Sequence, residues 1–203
     1  MTLELLIAFV AFAFVTSVTP GPNNTMLLAS GANFGLRRTL PHMLGISLGL
    51  MLLVLSVGLG LGQLFEQVPV LYSVLRYVGA AYLLYLAWKI ANAGAPNSQA
   101  SASGKPFSFL QAAAFQWVNP KAWIMAIGAI TTYTPQENFV TNVLLISALF
   151  AVVNSPTMSV WTVLGSLLRN WLQDARRLRL FNIGMALLLV ASLYPIFADT
   201  GLL

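Results

Sequence analysis

The sequence predicts an all-α membrane protein: six transmembrane helices forming two inverted three-helix repeats, with helices 1 and 4 broken at proline motifs. Three observations predict it. First, 58% of the 203 residues are hydrophobic, 7% are charged and the mean hydropathy is +0.81, whereas an ordinary soluble domain carries about 25% charge. So few charged side chains cannot cover so much apolar surface, and most of the chain must face lipid or other helices. Second, the apolar residues fall into six segments, each near the ~20 residues that cross a bilayer. Third, two polar breaks interrupt the first and fourth segments: Thr19-Pro20-Gly21-Pro22-Asn23-Asn24 and Gln116-Trp117-Val118-Asn119-Pro120-Lys121. Pro20 and Pro120 lie 100 residues apart, near the start of each half.

The first span covers about residues 3–18 and continues past its break to about 34. This stretch carries Glu4 and lacks a basic leading segment, so it is expected as a membrane helix rather than a cleaved leader. The second span covers about 40–64, the third about 70–91, the fourth about 107–133 with its break, the fifth about 140–168 and the sixth about 180–197. Residues 92–105 are rich in Ala, Gly, Ser, Asn and Pro and read as a flexible linker. The chain is therefore one transporter-like domain, with repeat one at about 1–91 and repeat two at about 106–203. Tyr77-Val78-Gly79-Ala80-Ala81 resembles Asn182-Ile183-Gly184-Met185-Ala186, 105 residues on. Similar halves with an odd number of spans must sit in opposite orientations, the build of many secondary carriers. Gly45 and Gly49 form a small-residue packing pattern.

Basic residues set the orientation. Arg37, Arg38, Lys89, Lys105, Arg169, Arg176, Arg177 and Arg179 all fall in the first, third and fifth connections or at their edges. The second and fourth connections hold Glu66 and Glu137 but neither Lys nor Arg. Those eight cations mark the cytoplasmic side of an inner membrane and place both termini outside. Arg76, near the outer end of the third span, reads as a snorkelling anchor. The net charge of +5 is thus a matter of topology, and no nucleic-acid partner is expected. With no Cys, one His and five acids, neither a thiol nucleophile nor a metal site nor a cofactor is expected.

The breaks carry the chemistry. A proline inside a membrane helix removes a donor and frees a carbonyl, which survives only under protein or beside a water-filled cavity. Pro20, Gly21 and Pro22 interrupt the first helix, and Asn23 and Asn24 open the next one with amide groups beside a helix N-terminus. The second break offers Gln116, Asn119, Pro120 and Lys121, with Asn119 pushed out of helical geometry by the proline after it. Counting along the helix leaves two placements for Lys121: buried, with a substrate carboxylate as its counter-ion, or snorkelling to the cytoplasmic surface. No acid lies mid-span, which favours a cargo of zero net charge. Its carboxylate would meet helix N-termini and its ammonium freed carbonyls. Asn154, Ser155, Thr157 and Ser159 around Pro156 are either polar lining or interhelical bonds at a third kink. His42, the only histidine, reads as an interfacial residue, with proton coupling as its alternative role. An intramembrane enzyme would need paired acids, a serine with a base or a histidine pair, none of which the chain offers.

Thr19–Asn24 with Gly31 and Gly35, Gly79-Ala80-Ala81-Tyr82-Leu83 followed by Trp88-Lys89, and Asn119-Pro120-Lys121 resemble the lysine exporter (LysE/RhtB) family of bacterial amino-acid exporters. The likeness covers nearly the whole chain and is greatest to the cysteine and O-acetylserine exporter branch. It implies an inner-membrane secondary exporter of small neutral amino acids (cysteine/O-acetylserine, threonine/homoserine or leucine type), driven by the proton gradient through alternating access. It carries the family's motif roles onto Pro20, Gly21, Pro22, Asn23, Asn119, Pro120 and Lys121. Two alternatives stay open: a carrier for another small metabolite or ion, or a non-transporting membrane subunit. The expected partners are a small amino acid and the lipid bilayer, with room for a homodimer.

Overall fold

In the computed structural model the described residues are 1–61, 67–93 and 105–194, without the side chains of residues 69, 72 and 76. They are helical from end to end: α1 (Leu3–Val18), α2 (Pro22–Phe34), α3 (Leu36–Ser56), α4 (Pro69–Ala91), α5 (Phe109–Gln116), α6 (Pro120–Tyr133), α7 (Phe139–Leu168) and α8 (Ala175–Ala191). Most of the linker, Glu66, Asp199 and the Arg76 side chain lie outside the described residues.

Local chemistry sets the helix ends. Thr2 accepts from the Leu5 amide at the start of α1, and Asp174 from the Arg177 amide at the start of α8. Ser108 and Gln111 form a reciprocal capping box at the start of α5. Gly35 separates α2 from α3 with φ +78°, a left-handed turn that favours glycine. The second helix starts at Leu36, earlier than expected, because Pro41 falls near its N-terminus, where a proline costs little. It ends in a π-helical turn, Val57–Leu61. α7 runs through Pro156 as one 30-residue helix.

Three helical stretches among the described residues are long and apolar enough to cross a membrane: Leu36–Leu61, Ser73–Ala91 and Phe139–Leu168. The α1–α2 pair, bent by 55° at the first break, makes a fourth. The α5–α6 pair (8 and 14 residues) and α8 (17 residues) are shorter, so length alone does not reach the six spans expected.

Packing knits the two halves together. In the main core, Phe9 and Ala13 of α1 and Leu50, Leu53 and Val54 of α3 meet Trp123 and Ala126 of α6 and Ile146 and Phe150 of α7. Phe9 sits edge-on to Phe150 at 5.5 Å and to Tyr133 at 5.8 Å. A second cluster joins Met26, Leu83, Leu86, Phe115, Ala186 and Leu189 from α2, α4, α5 and α8. Glycines set the closest crossings. A Cβ at Gly31 would strike Thr162 O, and one at Gly165 would strike Leu28 O, so α2 and α7 touch backbone to backbone. Gly45 and Gly49 do the same for α3 against Phe109 and Ala113 of α5, as the small-residue pattern predicted.

One end of the bundle gathers the basic connections. Arg169 approaches Gly35, Asn33 donates to Asn182 Oδ1 (3.1 Å), and Asn182 donates to Ala93 O (3.1 Å). The first, third and fifth connections therefore share one face of the molecule.

Candidate functional site

The first break leaves six carbonyls, Thr16 to Gly21, at the junction of α1 and α2. In a continuous helix each would accept from the amide four residues on. Pro20 and Pro22 have no amide to give, and the extended backbone at Thr19 and Gly21 removes further partners. Side chains replace nearly all of them. The Thr19 hydroxyl donates to Thr16 O (3.0 Å). Asn24 Nδ2 donates to both Ser17 O and Thr19 O (2.8 Å each). Trp161 Nε1, from α7, donates to Val18 O (3.2 Å). Lys121 Nζ, from α6, donates to Thr19 O (2.7 Å), Thr19 Oγ1 (2.9 Å) and Pro20 O (3.3 Å). Only Gly21 O returns to backbone pairing, with the Thr25 amide at 2.9 Å.

The second break is tighter and serves itself. The amides of Trp117, Val118 and Asn119 each bond three residues back, to Ala114, Phe115 and Gln116. Pro120 occupies the first position of α6, as Pro22 does in α2. Asn119 is extended (φ −87°, ψ 109°), as its proline neighbour required, and its side chain caps the Lys121 amide at 3.2 Å. Trp123 Nε1 holds Trp117 O at 2.8 Å. Gly79 of α4 presses against Val118 O.

The two breaks meet. Asn23 Nδ2 donates to Gln116 Oε1 (2.8 Å) and Gln116 Nε2 donates back to Asn23 Oδ1 (3.1 Å), a reciprocal amide pair across 93 residues. Gln116 is fully buried and also donates to Ala112 O (3.0 Å). Lys121 is half-buried, and its ammonium turns to the first break rather than to the bundle's end. Gly21 makes room for it: a Cβ there would lie 2.8 Å from Lys121 Cδ. The freed carbonyls expected to await a cargo ammonium thus already hold a lysine ammonium.

Other expected residues lie apart from this joint. Asn154 is buried, but its amide turns to Met158 Sδ (3.8 Å) on its own helix. Ser155 makes the interhelical bond, to Ser47 at 3.2 Å. His42 is 1% exposed, packed on the Phe107 ring at 5.3 Å, and neither ring nitrogen has a partner among the described residues. It is a core residue rather than the interfacial one expected, because Phe107 stands beside that face of α3 and covers it.

Sequence reasoning passed over Ser17, whose hydroxyl is buried and unpartnered in the last turn of α1. It also gave no site role to Thr19 or Trp161. A hydroxyl just before a helix-breaking proline was the available signal for Thr19; nothing in the sequence tied Trp161 to residue 18.

A family profile described as LysE type translocator matches residues 14–192. The chain belongs to this family. It is 36% identical over 200 residues to the cysteine/O-acetylserine efflux protein of Escherichia coli (strain K12), across 97% of this chain and 100% of the relative. The protein of the same description from Shigella sonnei (strain Ss046) matches to the same extent, and that of Escherichia coli O139:H28 (strain E24377A / ETEC) is 35% identical over the same coverage. No solved structure matches. Membership in the LysE family makes the chain a multi-pass membrane translocator, not an enzyme, and puts the interlocked breaks inside the family-matched region.

Proposed function

We propose that this LysE-family protein exports a small neutral amino acid or close derivative across the bacterial inner membrane, with cysteine and O-acetylserine as the leading cargo class. The observation that carries the reading is the joint between the breaks. Thr19 and Pro20 are exposed on the protein surface although they sit between apolar helices, and they coordinate an ammonium. Irregular backbone and a charge at membrane depth are tolerated where they line water, not where they face hydrocarbon. The first break therefore borders an aqueous path that a dipolar solute can enter. Pro20, Gly21, Pro22, Asn23, Asn24, Gln116, Asn119, Pro120 and Lys121 form the cargo site; Asn154 belongs to the helix packing behind it. Carboxylate and ammonium of the cargo find opposite partners there: amide donors and a lysine for one, carbonyls for the other. The relatives' described cargoes fit this chemistry.

The six-span inverted repeat (residues 1–91 and 106–203 around a linker) is supported by exchange of partners between halves. α2 packs on α7 and α6 on α3, α1 packs on α7 and α5 on α3, while α3 meets α7 and α4 meets α8. A two-fold relation generates that pattern of swapped and self-paired helices. Clustering of the basic connections at one end supports a cytoplasmic face there and both termini outside. Alternating access follows by rocking of the halves about the joint. Proton coupling uses His42, the one histidine, supported by its burial without a partner for either ring nitrogen.

The test is export from proteoliposomes loaded with labelled cysteine, O-acetylserine, threonine or leucine under an imposed pH gradient. Gradient-dependent release of at least one, lost in Asn23→Ala, is the expected result. Release of none by the folded wild-type protein overturns the reading.

A further inference from the structure

We propose that Lys121 is a tethered stand-in for the cargo's ammonium: it occupies the first break when the site is empty and is displaced to the cargo's carboxylate when the site is filled. The inference rests on the exporter reading and adds a mechanism of exchange to it. An ammonium has three N–H donors and no acceptor. Lys121 Nζ spends them on three oxygens of the first break, Thr19 O, Thr19 Oγ1 and Pro20 O, at 2.7, 2.9 and 3.3 Å. That is the complement an α-ammonium group requires. Because Lys121 comes from the other half, 102 residues from Thr19, the contact is also a bond between the halves. Among the described residues no acid supplies a counter-charge to this lysine: the elements that pack most against α6 are α1, α3, α7 and the π turn, and their one carboxylate, Glu4, lies in the first turn of α1, at the end remote from the break.

A cargo amine alone would have to evict Lys121 and leave its charge uncompensated. A zwitterion evicts it and compensates it in one step, since its carboxylate accepts the released ammonium in a charge-assisted hydrogen bond. The site thereby selects for both groups on one molecule, and an empty site stays electrically closed. Ser17, 4% exposed, has a hydroxyl without a partner among the described residues and adds a donor left for a ligand one turn before the break. A serine in a helix can always return its hydroxyl to its own backbone, as Thr16 does to Phe12 O at 2.7 Å. Ser17 does not.

The test compares inhibition of cysteine export by two analogues, cysteamine (ammonium without carboxylate) and 3-mercaptopropionate (carboxylate without ammonium), in wild type and Lys121→Met. The chain has no cysteine, so these thiols cannot attach to it by disulfide exchange. The exchange predicts a crossover. Cysteamine gains about tenfold in potency in the variant, because the carbonyls stand vacant, while 3-mercaptopropionate loses about tenfold, because its counter-ion is gone. Lys121→Gln, which keeps an N–H donor for the carbonyls but carries no charge, shifts cysteamine the same way by a smaller factor and 3-mercaptopropionate by the full one, and decides the matter if Lys121→Met does not accumulate as folded, exporting protein. Cysteine export with both analogues shifting together, or neither shifting, overturns the exchange and leaves the exporter reading intact. Absence of cysteine export by the wild type, with another amino acid exported, moves the same comparison to that amino acid's amine and des-amino analogues. Absence of any amino-acid export overturns both.

Discussion

The amide pair at the joint makes a quantitative demand. Asn23→Leu removes both of its hydrogen bonds and strands Gln116 Oε1 in a fully buried position, while Gln116 Nε2 keeps its bond to Ala112 O. An unsatisfied buried acceptor costs about 1–3 kcal/mol. Gln116→Leu strands the Asn23 amide instead, but Asn23 is only half-buried, so water recovers part of the loss and the cost falls to the low end of that range, about 1 kcal/mol. The double variant strands nothing. Interhelical side-chain bonds in membranes average about 0.6 kcal/mol and reach about 1.7, so two of them give a coupling of about 1–2 kcal/mol. Unfolding of the four proteins in mixed detergent micelles measures it, and proteoliposome export is read in parallel. The double variant should be more stable than the sum of the single losses by that coupling, yet should not recover export, because Asn23 is assigned to the cargo. Additivity within about 0.5 kcal/mol would show that the two amides do not act as a pair. Recovery of export together with stability would make the pair a structural clasp and remove Asn23 from the site.

Three further outcomes follow from the same geometry. Ser17→Ala deletes a hydroxyl that bonds nothing in the empty protein, so the melting temperature should hold while the KM for cargo rises; an unchanged KM in export assays removes Ser17 from the cargo site. Gly165→Ala drives a Cβ into Leu28 O and to 3.0 Å from Ala32 N, both rigid backbone, and should cost about 1–3 kcal/mol by forcing α2 and α7 apart; a melting curve equal to wild type would show that this crossing is looser than its geometry. Gly184→Ala meets nothing within 4 Å among the described residues and should gain about 0.5–1 kcal/mol from reduced backbone freedom while slowing export; an unchanged export rate refutes the second half.

What the sequence disclosed, and what it did not, divides along one physical line. Helix positions follow from hydropathy and proline, both local: the third span was expected at 70–91 and is Pro69–Ala91, the fifth at 140–168 and is Phe139–Leu168, and both breaks fall where the prolines put them. Asn119 was legible as a residue forced out of the helix because that is a clash with its own neighbour. The partners of the freed carbonyls were not legible. Trp161 serves residue 18 and Lys121 serves residues 19 and 20 only because α7 and α6 pack against α1, and no periodicity encodes which indole or ammonium arrives there. Likewise the place of His42 near the cytoplasmic start of the second span reads as interfacial, but burial depends on what stands beside a helix face, here Phe107. Gly79 stands in both the repeated motif and the family motif, and neither encodes its contact with Val118 O.

That contact, set against its counterpart, bears on how the halves move. Under the proposed inverted repeat, Gly79 corresponds to Gly184, and counting back from the proline that opens α2 and α6, Val118 corresponds to Pro20. The correspondence is broken in space: Gly79 sits hard on Val118 O, whereas no described residue lies within 4 Å of a Cβ at Gly184, and Pro20 O instead holds Lys121 Nζ. Under the alternating access proposed above, a single conformation would hold two halves of the same build in different local states. The exchanged state would seat Gly184 on Pro20 O, and it cannot do so while Lys121 occupies that carbonyl. In that exchange the cargo's ammonium holds Pro20 O in its turn, so α8 would close on this carbonyl only after the cargo has left and before Lys121 returns. A side chain at Gly184 is harmless in the state seen here and obstructive in the other, which is why the alanine variant should be more stable and slower.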